Sequence, residues 1–331
     1  MLFIDNGNIT DPRINLAIEE YILKHLDVEN ESYLLFYINE PSVIIGKHQN
    51  TVEEIHVDVV RERGIHVVRR LSGGGAVYHD LGNLNFSFIT KDDGKSFANF
   101  RKFTGPVIEA LRKLGVNAEL SGRNDILVDG KKVSGNAQYA TRGRMFSHGT
   151  LMFNVKLDDV AKVLQVKQDK IQSKGIKSVR SRVANIADYL SEPMTIEEFR
   201  RVLLDHIFEG KKPIPEYKLT ESDFEKIHEI SRQRYQQWDW NFGESPEFNV
   251  QQSKRFPIGS IDVRLDVGEK GIIRGCKIYG DFFGIGDVAD IERRLTGCRY
   301  DREAIEAALS DIDVKHYFGD IGKDEFIDLV Y

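Results

Sequence analysis

Apolar positions near the N-terminus recur at three- and four-residue spacing, which predicts an amphipathic helix over residues 11–25. Asp11 precedes the repeat as an N-cap, and Pro12 takes the first helical position, where the missing N–H of proline costs nothing. The apolar stripe consists of Ile14, Ala17, Ile18, Tyr21 and Ile22. We expect this helix to pack against a sheet.

Runs rich in β-branched and aromatic residues follow and predict strands. These runs lie at residues 32–38, 42–45, 65–68 and 84–90. A second helix is predicted within residues 96–114, where helical periodicity returns and Gly115 follows. Pro106 lies inside this segment, so we expect a break or a fresh start there.

Residues 125–134 predict a β-hairpin that turns at Asp129 and Gly130, a pair typical of a type I′ turn. Successive pairs across such a ribbon face opposite sides. The predicted pairs are Val128 with Lys131, Leu127 with Lys132, Ile126 with Val133 and Asp125 with Ser134.

This register separates two adjacent lysines. Lys132 shares a side with Asp125 and Ser134, so we expect it to meet a ligand. A solvated strand lysine that discourages edge pairing is the alternative interpretation. Lys131 is expected to be a solvated charge beside the turn.

The rest of the chain predicts a strand at residues 149–155, a basic surface loop at 167–182, and helices at 195–209 and 220–237. A second series of predicted strands and helices begins near residue 250. Its strands lie near residues 251–256, 260–267 and 271–279, and its helices near 286–296 and 301–310. We therefore predict two α+β domains, residues 1–246 and 247–331.

Composition narrows the function classes. The chain has 331 residues, of which 41% are hydrophobic, and a formal net charge of −6 at pH 7. That charge argues against a general nucleic-acid binder, which needs a basic surface. Because there is no signal peptide and no run of about 18 apolar residues, we expect a cytoplasmic protein without a membrane span.

The two cysteines, Cys276 and Cys298, lie in the last quarter of the chain and belong to no CxxC or His/Cys cluster. A disulfide scaffold or a structural zinc site is therefore not expected. The larger domain has no cysteine and cannot use a thiolate nucleophile, so acyl chemistry there needs another activation, such as adenylation by ATP.

The stretch from Arg69 to Asn83 contains two arginines and three consecutive glycines directly after a predicted strand. Backbone amides in such a loop can form an anion site, and Arg70 can add a bidentate positive charge. A glycine-rich hairpin with solvated arginines is the alternative. The spacing matches neither GxxxxGK[ST] nor GxGxxG, and GxSxG is absent from the chain.

Six blocks of residues, in order along the chain, resemble the lipoate–protein ligases of the biotin/lipoate ligase superfamily. The blocks are Arg69-Arg70-x-Ser72-Gly73-Gly74-Gly75-Ala76-Val77-Tyr78-His79-Asp80-x-Gly82-Asn83, Gly122-Arg123-Asn124-Asp125, Gly130-Lys131-Lys132-Val133-Ser134-Gly135-Asn136-Ala137, His148-Gly149-Thr150-Leu151, Gly175-Ile176-x-Ser178-Val179-Arg180-Ser181-Arg182-Val183-x-Asn185 and Trp238-Asp239-Trp240-Asn241-Phe242-Gly243.

The resemblance implies an α+β fold with a mixed-sheet catalytic domain, followed by a small C-terminal α+β domain. It also implies two steps, in which lipoate and ATP give lipoyl-adenylate, and the lipoyl group then passes to a lysine of an acceptor domain. The acceptors would be E2 subunits of 2-oxoacid dehydrogenases or the H protein of glycine cleavage. We expect Mg²⁺ to accompany ATP, no tightly bound redox cofactor, no nucleic-acid partner and a monomer.

Site residues follow from the same resemblance. Lys132 matches the essential lysine of the family, which contacts lipoate and nucleotide. Residues expected to bind ATP are Arg70, Gly75, Ala76, Val77, Tyr78 and Lys132. Further candidate contacts of lipoate are Ser72, Gly74, His79 and His148. Supporting residues are expected to be Asn83, Asn124, Asp125 and Ser134. Asp125 is either a Mg²⁺ ligand or a group that orients Lys132.

Two alternatives stay open: an octanoyl or lipoyl transferase of the same superfamily, and, from a different class, a non-catalytic module that binds lipoyl domains. The transferases that form a covalent acyl intermediate need a cysteine, which the larger domain lacks. The basic loop with Lys170, Lys174, Lys177, Arg180 and Arg182 could cover the adenylate, meet an acidic acceptor or remain solvated.

Overall fold

A seven-stranded mixed sheet organises the larger part of the chain in the computed structural model, which describes residues 1–165, 182–242, 249–268 and 271–331. Its strands, in chain order, are β1 (Leu2–Asp5), β2 (Tyr33–Ile38), β6 (Asn83–Lys91), β7 (Ala118–Ser121), β8 (Asp125–Val128), β9 (Lys131–Thr141) and β10 (Arg144–Met152). The spatial order is β1-β2-β6-β10-β9-β8-β7. Only β1 and β2 pair in parallel, so the predicted mixed sheet is confirmed.

A second, three-stranded sheet supports the start of the glycine-rich stretch. It consists of β3 (Ser42–Ile45), flanked by β4 (His66–Arg69) and β5 (Val77–His79). The strand β3 pairs in parallel with β4 and antiparallel with β5.

Helices cover both faces of the large sheet. Among the described residues up to 241, the α-helices are α1 (Pro12–His25), α2 (Thr51–Glu54), α3 (Val57–Glu62), α4 (Phe100–Lys113), α5 (Leu157–Val163), α6 (Ile196–Ile207), α7 (Glu221–Ile230) and α8 (Trp238–Asn241). The predicted helix at residues 11–25 is confirmed, and Asp11 caps it by accepting a 2.8 Å bond from the Arg13 N–H.

The two faces of β6 differ sharply. Leu84, Phe86 and Phe88 point into an apolar core that also contains side chains of α4 and α6. The alternate residues of the strand, Asn83, Asn85 and Ser87, are equally buried but polar. A buried polar face on a central strand needs partners, so this face is a candidate for ligand contact.

Several predicted elements needed correction. The break at Pro106 is wrong, because α4 runs through it. The residue before the proline is Gly105, whose missing Cβ removes the usual clash with the proline ring. The strand predicted at residues 149–155 corresponds to β10, which begins earlier, at Arg144, and ends at Met152. The helix predicted at 220–237 ends at Ile230, where a π turn over Ser231–Tyr235 follows.

The chain divides into two compact units. The N-terminal unit contains Met1–Ile45, Val52–Arg69 and Ala76–Asn241, and the C-terminal unit contains Gly46–Thr51, Arg70–Gly75 and Phe242–Tyr331. The glycine loop, defined here as Arg70–Gly75, thus belongs to the C-terminal unit. The predicted boundary after residue 246 and the basic residues Lys170, Lys174, Lys177 and Arg180 lie outside the described residues.

The C-terminal unit has its own sheet and core. Its strands, in spatial order, are β11 (Val250–Phe256), β12 (Gly259–Val267) and β13 (Ile273–Gly280), all antiparallel. Its helices are α9 (Ala289–Leu295), α10 (Arg302–Ala308), α11 (Val314–Phe318) and α12 (Lys323–Val330). Within the described ranges, no helix combines the length and the apolar character that crossing a membrane requires.

Candidate functional site

The hairpin of β8 and β9 carries Lys132, and a β-bulge changes its predicted register. Leu127 pairs with Lys132 as predicted, but Ile126 pairs with Ser134, not with Val133. Val133 is the extra residue of the bulge, which lets both Val133 and Ser134 point into buried surroundings. Ser134 therefore does not share the side of Lys132, and that part of the prediction is wrong.

The bulge also brings a glycine opposite Asp125. Gly135 takes the pairing position that was predicted for Ser134. The Lys132 side chain lies over this glycine, because a Cβ at Gly135 would come within 2.9 Å of Lys132 Nζ and 3.0 Å of its Cε. Lys132 Nζ contacts Asp125 Oδ1 at 2.8 Å, and about one third of each side chain remains exposed. The lysine is thus oriented by a carboxylate and still accessible to a ligand.

The segment after the basic loop joins this hairpin. The Lys132 N–H donates to Arg182 O at 2.7 Å, and the Ala184 N–H donates to Lys132 O at 3.0 Å. A short parallel bridge therefore holds residues 182–184 beside Lys132.

A row of side chains crosses the sheet from β2 to β8 at the level of Lys132. Tyr37 pairs with Asn85, and Asn85 pairs with Thr150. Thr150 Oγ1 accepts a 3.1 Å bond from the Gly135 N–H, and Gly135 pairs with Asp125. Directly paired residues share a face, so hydroxyl, amide and carboxylate groups lie on the face that carries the Lys132 ammonium.

Two buried oxygens on this face lack partners within the described part of the chain. They are Asn83 Oδ1 and Ser87 Oγ, both on β6. Asn83 was predicted as a supporting residue, whereas Asn85, Ser87, Thr150 and Gly135 were not singled out. The sequence does contain a signal for Asn85 and Ser87. Polar and apolar residues alternate from Asn83 to Phe88, and every second residue of a strand lies on the same face.

The two predicted histidines are held by buried polar partners. His148 Nδ1 lies 2.9 Å from Glu19 Oε1 of α1, which places this helix on the polar face of the sheet. His79 Nδ1 contacts Asn39 Nδ2 at 3.0 Å, and Asn39 in turn accepts a bond from Asn15 of α1. Both imidazoles are therefore oriented by groups that the sequence separates widely.

Arg70 directs its guanidinium back onto its own loop. Its Nε donates to Ser72 Oγ at 3.0 Å, and its Nη2 donates to Gly73 O at 2.6 Å and Gly75 O at 2.9 Å. Only 5% of the residue is exposed. These bonds give the loop a defined shape, and Ser72 is wholly buried within it.

The three glycines of the loop have different surroundings. A Cβ at Gly73 would lie 2.2 Å from Phe282 O, and one at Gly74 would lie 2.8 Å from the Phe283 ring. The close approach at these positions is therefore made by the chain itself. A Cβ at Gly75 would meet no atom of the described residues within 4 Å, so among them the backbone at this position is open to a ligand.

Of the next three candidates, Ala76 directly precedes β5, and Val77 and Tyr78 begin it. Ala76 is half-buried, and Val77 and Tyr78 pair with Ile44 and Val43. Burial, aided by Asp80 and Asp159, raises the pKa of Tyr78 to about 12, so its hydroxyl remains a neutral donor at physiological pH.

The loop before β8 holds the remaining predicted residues. Asn124 Nδ2 donates to Asn136 O at 2.5 Å, and Asn124 O accepts from the Asn136 N–H at 3.0 Å. Asn124 therefore connects the two strands next to Asp125. No group of three or more His, Cys, Asp or Glu side chains in the described ranges could hold a metal by itself. A single partly exposed carboxylate such as Asp125 fits Mg²⁺ that nucleotide phosphates also coordinate.

Family models match most of the chain. Residues 11–208 match the lipoyl protein ligase A/B catalytic domain, and residues 245–330 match the bacterial lipoate protein ligase C-terminus. The lipoate-protein ligase LplJ of Bacillus subtilis (strain 168) is 66% identical over 333 residues, with 100% of each chain covered.

Solved structures agree in fold. The chain resembles a bi-partite lipoate protein ligase, studied with its E2 lipoyl domain, from Thermoplasma acidophilum, with a TM-score of 0.65 and 32% identity over 75% of this chain and 98% of that one. It also resembles a lipoate-protein ligase A bound with ATP, with a TM-score of 0.62 and 31% identity over 73% and 97% of the two chains.

Proposed function

The chain belongs to the lipoate–protein ligase family, and we propose on that basis that it activates lipoate with ATP and transfers the lipoyl group to a lysine of a lipoyl domain. In the first step a carboxylate oxygen of lipoate attacks the α-phosphorus of ATP, and pyrophosphate leaves. In the second step the acceptor amine attacks the acyl carbon. An amide forms, AMP leaves, and the amine loses a proton.

The observation that supports this function best is the position of Lys132. Its ammonium lies over Gly135, is oriented by Asp125 and remains partly exposed on the polar face of the sheet. The first step brings a carboxylate and a phosphate together, and a fixed cation offsets their repulsion as charge develops in the transition state. Charge-assisted bonds of this kind contribute roughly 1.5–3 kcal/mol each.

The substrate contacts are assigned as follows. Lys132 would bind the lipoate carboxylate and the α-phosphate, and His79, Asn83 and His148 of the N-terminal unit would line or support the lipoate site. The glycine loop and Ala76–Tyr78 would hold the nucleotide, with Gly75 giving close access to backbone. Ser72 and Gly74 would act by shaping that loop, since Ser72 Oγ accepts a bond from Arg70 and a Cβ at Gly74 would meet the Phe283 ring.

Further parts of the proposal concern the metal and the partners. Mg²⁺ would neutralise the departing pyrophosphate and would be held chiefly by phosphate oxygens, with Asp125 as the protein group within reach of this site. The acceptors would be E2 lipoyl domains, as named for the Thermoplasma ligase, and the H protein. The working form would be a monomer in the cytoplasm.

The test measures the two steps separately. Wild-type protein with ATP, Mg²⁺ and lipoate should release pyrophosphate, and a purified E2 lipoyl domain should then gain the mass of one lipoyl group. Lys132→Ala should reduce the first step at least about 100-fold with the fold intact by circular dichroism. Lys131→Ala is the matched control, because its exposed neighbouring side chain should leave both steps unchanged.

Folded wild-type protein that gives neither product would overturn the function. Binding of lipoyl domain without turnover would instead identify a non-catalytic binding module.

A further inference from the structure

The chain leaves the N-terminal unit at three residues, and one of them, Arg69, contacts the other two. The chain passes into the C-terminal unit after Ile45, after Arg69 and after Asn241. Ile45 is the register partner of Arg69 between β3 and β4. Asn241 ends α8 and bonds to Arg69 directly. We call Ile45, Arg69, Trp240 and Asn241 the exit cluster.

Arg69 uses its backbone and its side chain within this cluster. Its N–H donates to Asn241 Oδ1 at 3.0 Å, and its carbonyl accepts a 2.8 Å bond from Trp240 Nε1. Its Nε donates to Trp240 O at 2.8 Å, and its Nη2 donates to Asn241 O at 3.3 Å. Arg69 is only 8% exposed, so these bonds are shielded from water.

The exit cluster is in turn attached to α1. The Arg234 guanidinium lies 4.6 Å from the centre of the Trp240 ring, and Asn241 Nδ2 donates to Tyr235 O at 2.8 Å. Glu20 of α1, 3% exposed, accepts a 2.8 Å bond from Tyr235 Oη and lies 3.1 Å from Arg234 Nε. The buried Glu20 carboxylate therefore holds Arg234 and Tyr235 in place. These two residues in turn contact Trp240 and Asn241.

We propose that Arg69 is a positioning residue for ATP, acting through the glycine loop that begins at the next residue. This inference rests on the proposed function, because that loop carries Arg70 and Gly75 of the proposed nucleotide site. A loop whose preceding residue is fixed, and whose shape Arg70 already defines, loses less conformational freedom when a triphosphate binds. Binding of lipoate at the polar face of the N-terminal unit does not involve this loop.

The first test compares the two substrates. In Arg69→Met the side chain keeps its length and loses its donors, so the KM for ATP should rise about tenfold in lipoate-dependent pyrophosphate release. The KM for lipoate should stay within about twofold of wild type. A merely structural role would lower the amount of active enzyme and hence the apparent kcat. It would not raise the KM for ATP relative to the KM for lipoate.

A matched control and a milder variant accompany this test. Arg200 of α6 is also a largely buried arginine of the N-terminal unit, with Asp5 at 3.3 Å, and Arg200→Met should leave both KM values unchanged. Trp240→Phe removes the indole donor to Arg69 O, keeps an aromatic ring beside Arg234, and should raise the KM for ATP about threefold. If Arg69→Met fails to fold, this variant decides.

A binding measurement tests the same inference without turnover. The chain has two tryptophans, and Trp238 is 60% exposed, so Trp238→Phe leaves Trp240 as the single reporter. Titration with ATP and Mg²⁺ should change the Trp240 emission. Adding Arg69→Met to this background should move the titration midpoint to about tenfold higher ATP.

The inference would be overturned by a KM for ATP within twofold of wild type in both variants, or by a parallel rise in the KM for ATP and the KM for lipoate. An unchanged midpoint of the ATP titration would overturn it as well. Absence of pyrophosphate release by wild type would instead contradict the proposed function, and the titration would still decide the role of Arg69.

Discussion

A single glycine determines where the charge of Lys132 can lie. The lysine side chain passes over Gly135, and the space that a Cβ would take is filled by its last methylene and its ammonium. Asp125 holds the ammonium at 2.8 Å. The position of this cation therefore depends on a residue that has no side chain of its own.

Gly135→Ala should impair the reaction more than the fold. The methyl group would displace the flexible end of Lys132, which costs little stability but misplaces the ammonium. Displacement of a catalytic group by about 1 Å can cost up to about 100-fold in rate, so we expect kcat for pyrophosphate release to fall about 10- to 100-fold. The unfolding free energy should change by less than about 1 kcal/mol.

Gly275→Ala is the matched control, because a Cβ at this strand glycine would meet only Asp266 Cβ at 3.8 Å. Its activity should equal that of wild type. Full activity of Gly135→Ala would show that the position of Lys132 over the glycine does not matter.

At the scale of elements, the glycine loop combines an internal framework with one open position. Arg70 bonds to loop oxygens, and the loop packs against Phe282 and Phe283 of its own unit. Of its three consecutive glycines, Gly75 alone has a Cβ position that no atom of the described part of the chain approaches within 4 Å. Glycine thus permits close packing at positions 73 and 74, and it leaves the backbone accessible to a ligand at position 75.

Gly73→Ala and Gly75→Ala should separate these two roles. At Gly73 the methyl group would meet a backbone carbonyl that cannot move freely, so the unfolding free energy should fall by about 1–3 kcal/mol in a urea titration. Gly75 does not have a positive φ, so Gly75→Ala should leave stability within about 0.5 kcal/mol.

If nucleotide approaches the backbone at Gly75, the KM for ATP of Gly75→Ala should rise although its stability does not. An unchanged KM would remove Gly75 from the nucleotide site. Equal stability losses in the two variants would contradict the distinction between packing and open space.

At the scale of the whole molecule, the two units hold different chemistry. Lys132 belongs to the N-terminal unit, whereas Cys276 and Cys298 belong to the C-terminal unit. Burial raises the pKa of both thiols above the ordinary value, so both are protonated near neutral pH. A thiol with a raised pKa is a poor nucleophile and a poor acyl carrier.

Treatment of the native protein with iodoacetamide at pH 7 should therefore leave lipoyl transfer intact. The thiolate fraction, which alone reacts, is small at this pH because each raised pKa lies above the reference value of 9.0. Intact mass measures alkylation, and lipoyl-domain modification measures activity in the same sample. Activity lost in proportion to alkylation would favour a transferase with a covalent acyl intermediate.

Local periodicity, capping and the order of residues were sufficient to predict the first helix, most central strands and the family. The sequence also separated Lys132 from Lys131, since the Asp-Gly turn sets the pairs nearest to it. The short strands β1, β5 and β7 were not predicted, because each has at most one β-branched residue, whereas the equally short β3 and β4 have two or more.

The bulge at Val133, the place of Lys132 over Gly135 and the polar row across β6, β10 and β9 became visible only in the folded chain. Only there, too, do Gly73 and Gly74 pack against Phe282 and Phe283, and does Arg69 meet Trp240 and Asn241. These contacts join residues far apart in the chain. Their energies depend on distances that only the folded backbone sets, so no local pattern can encode them.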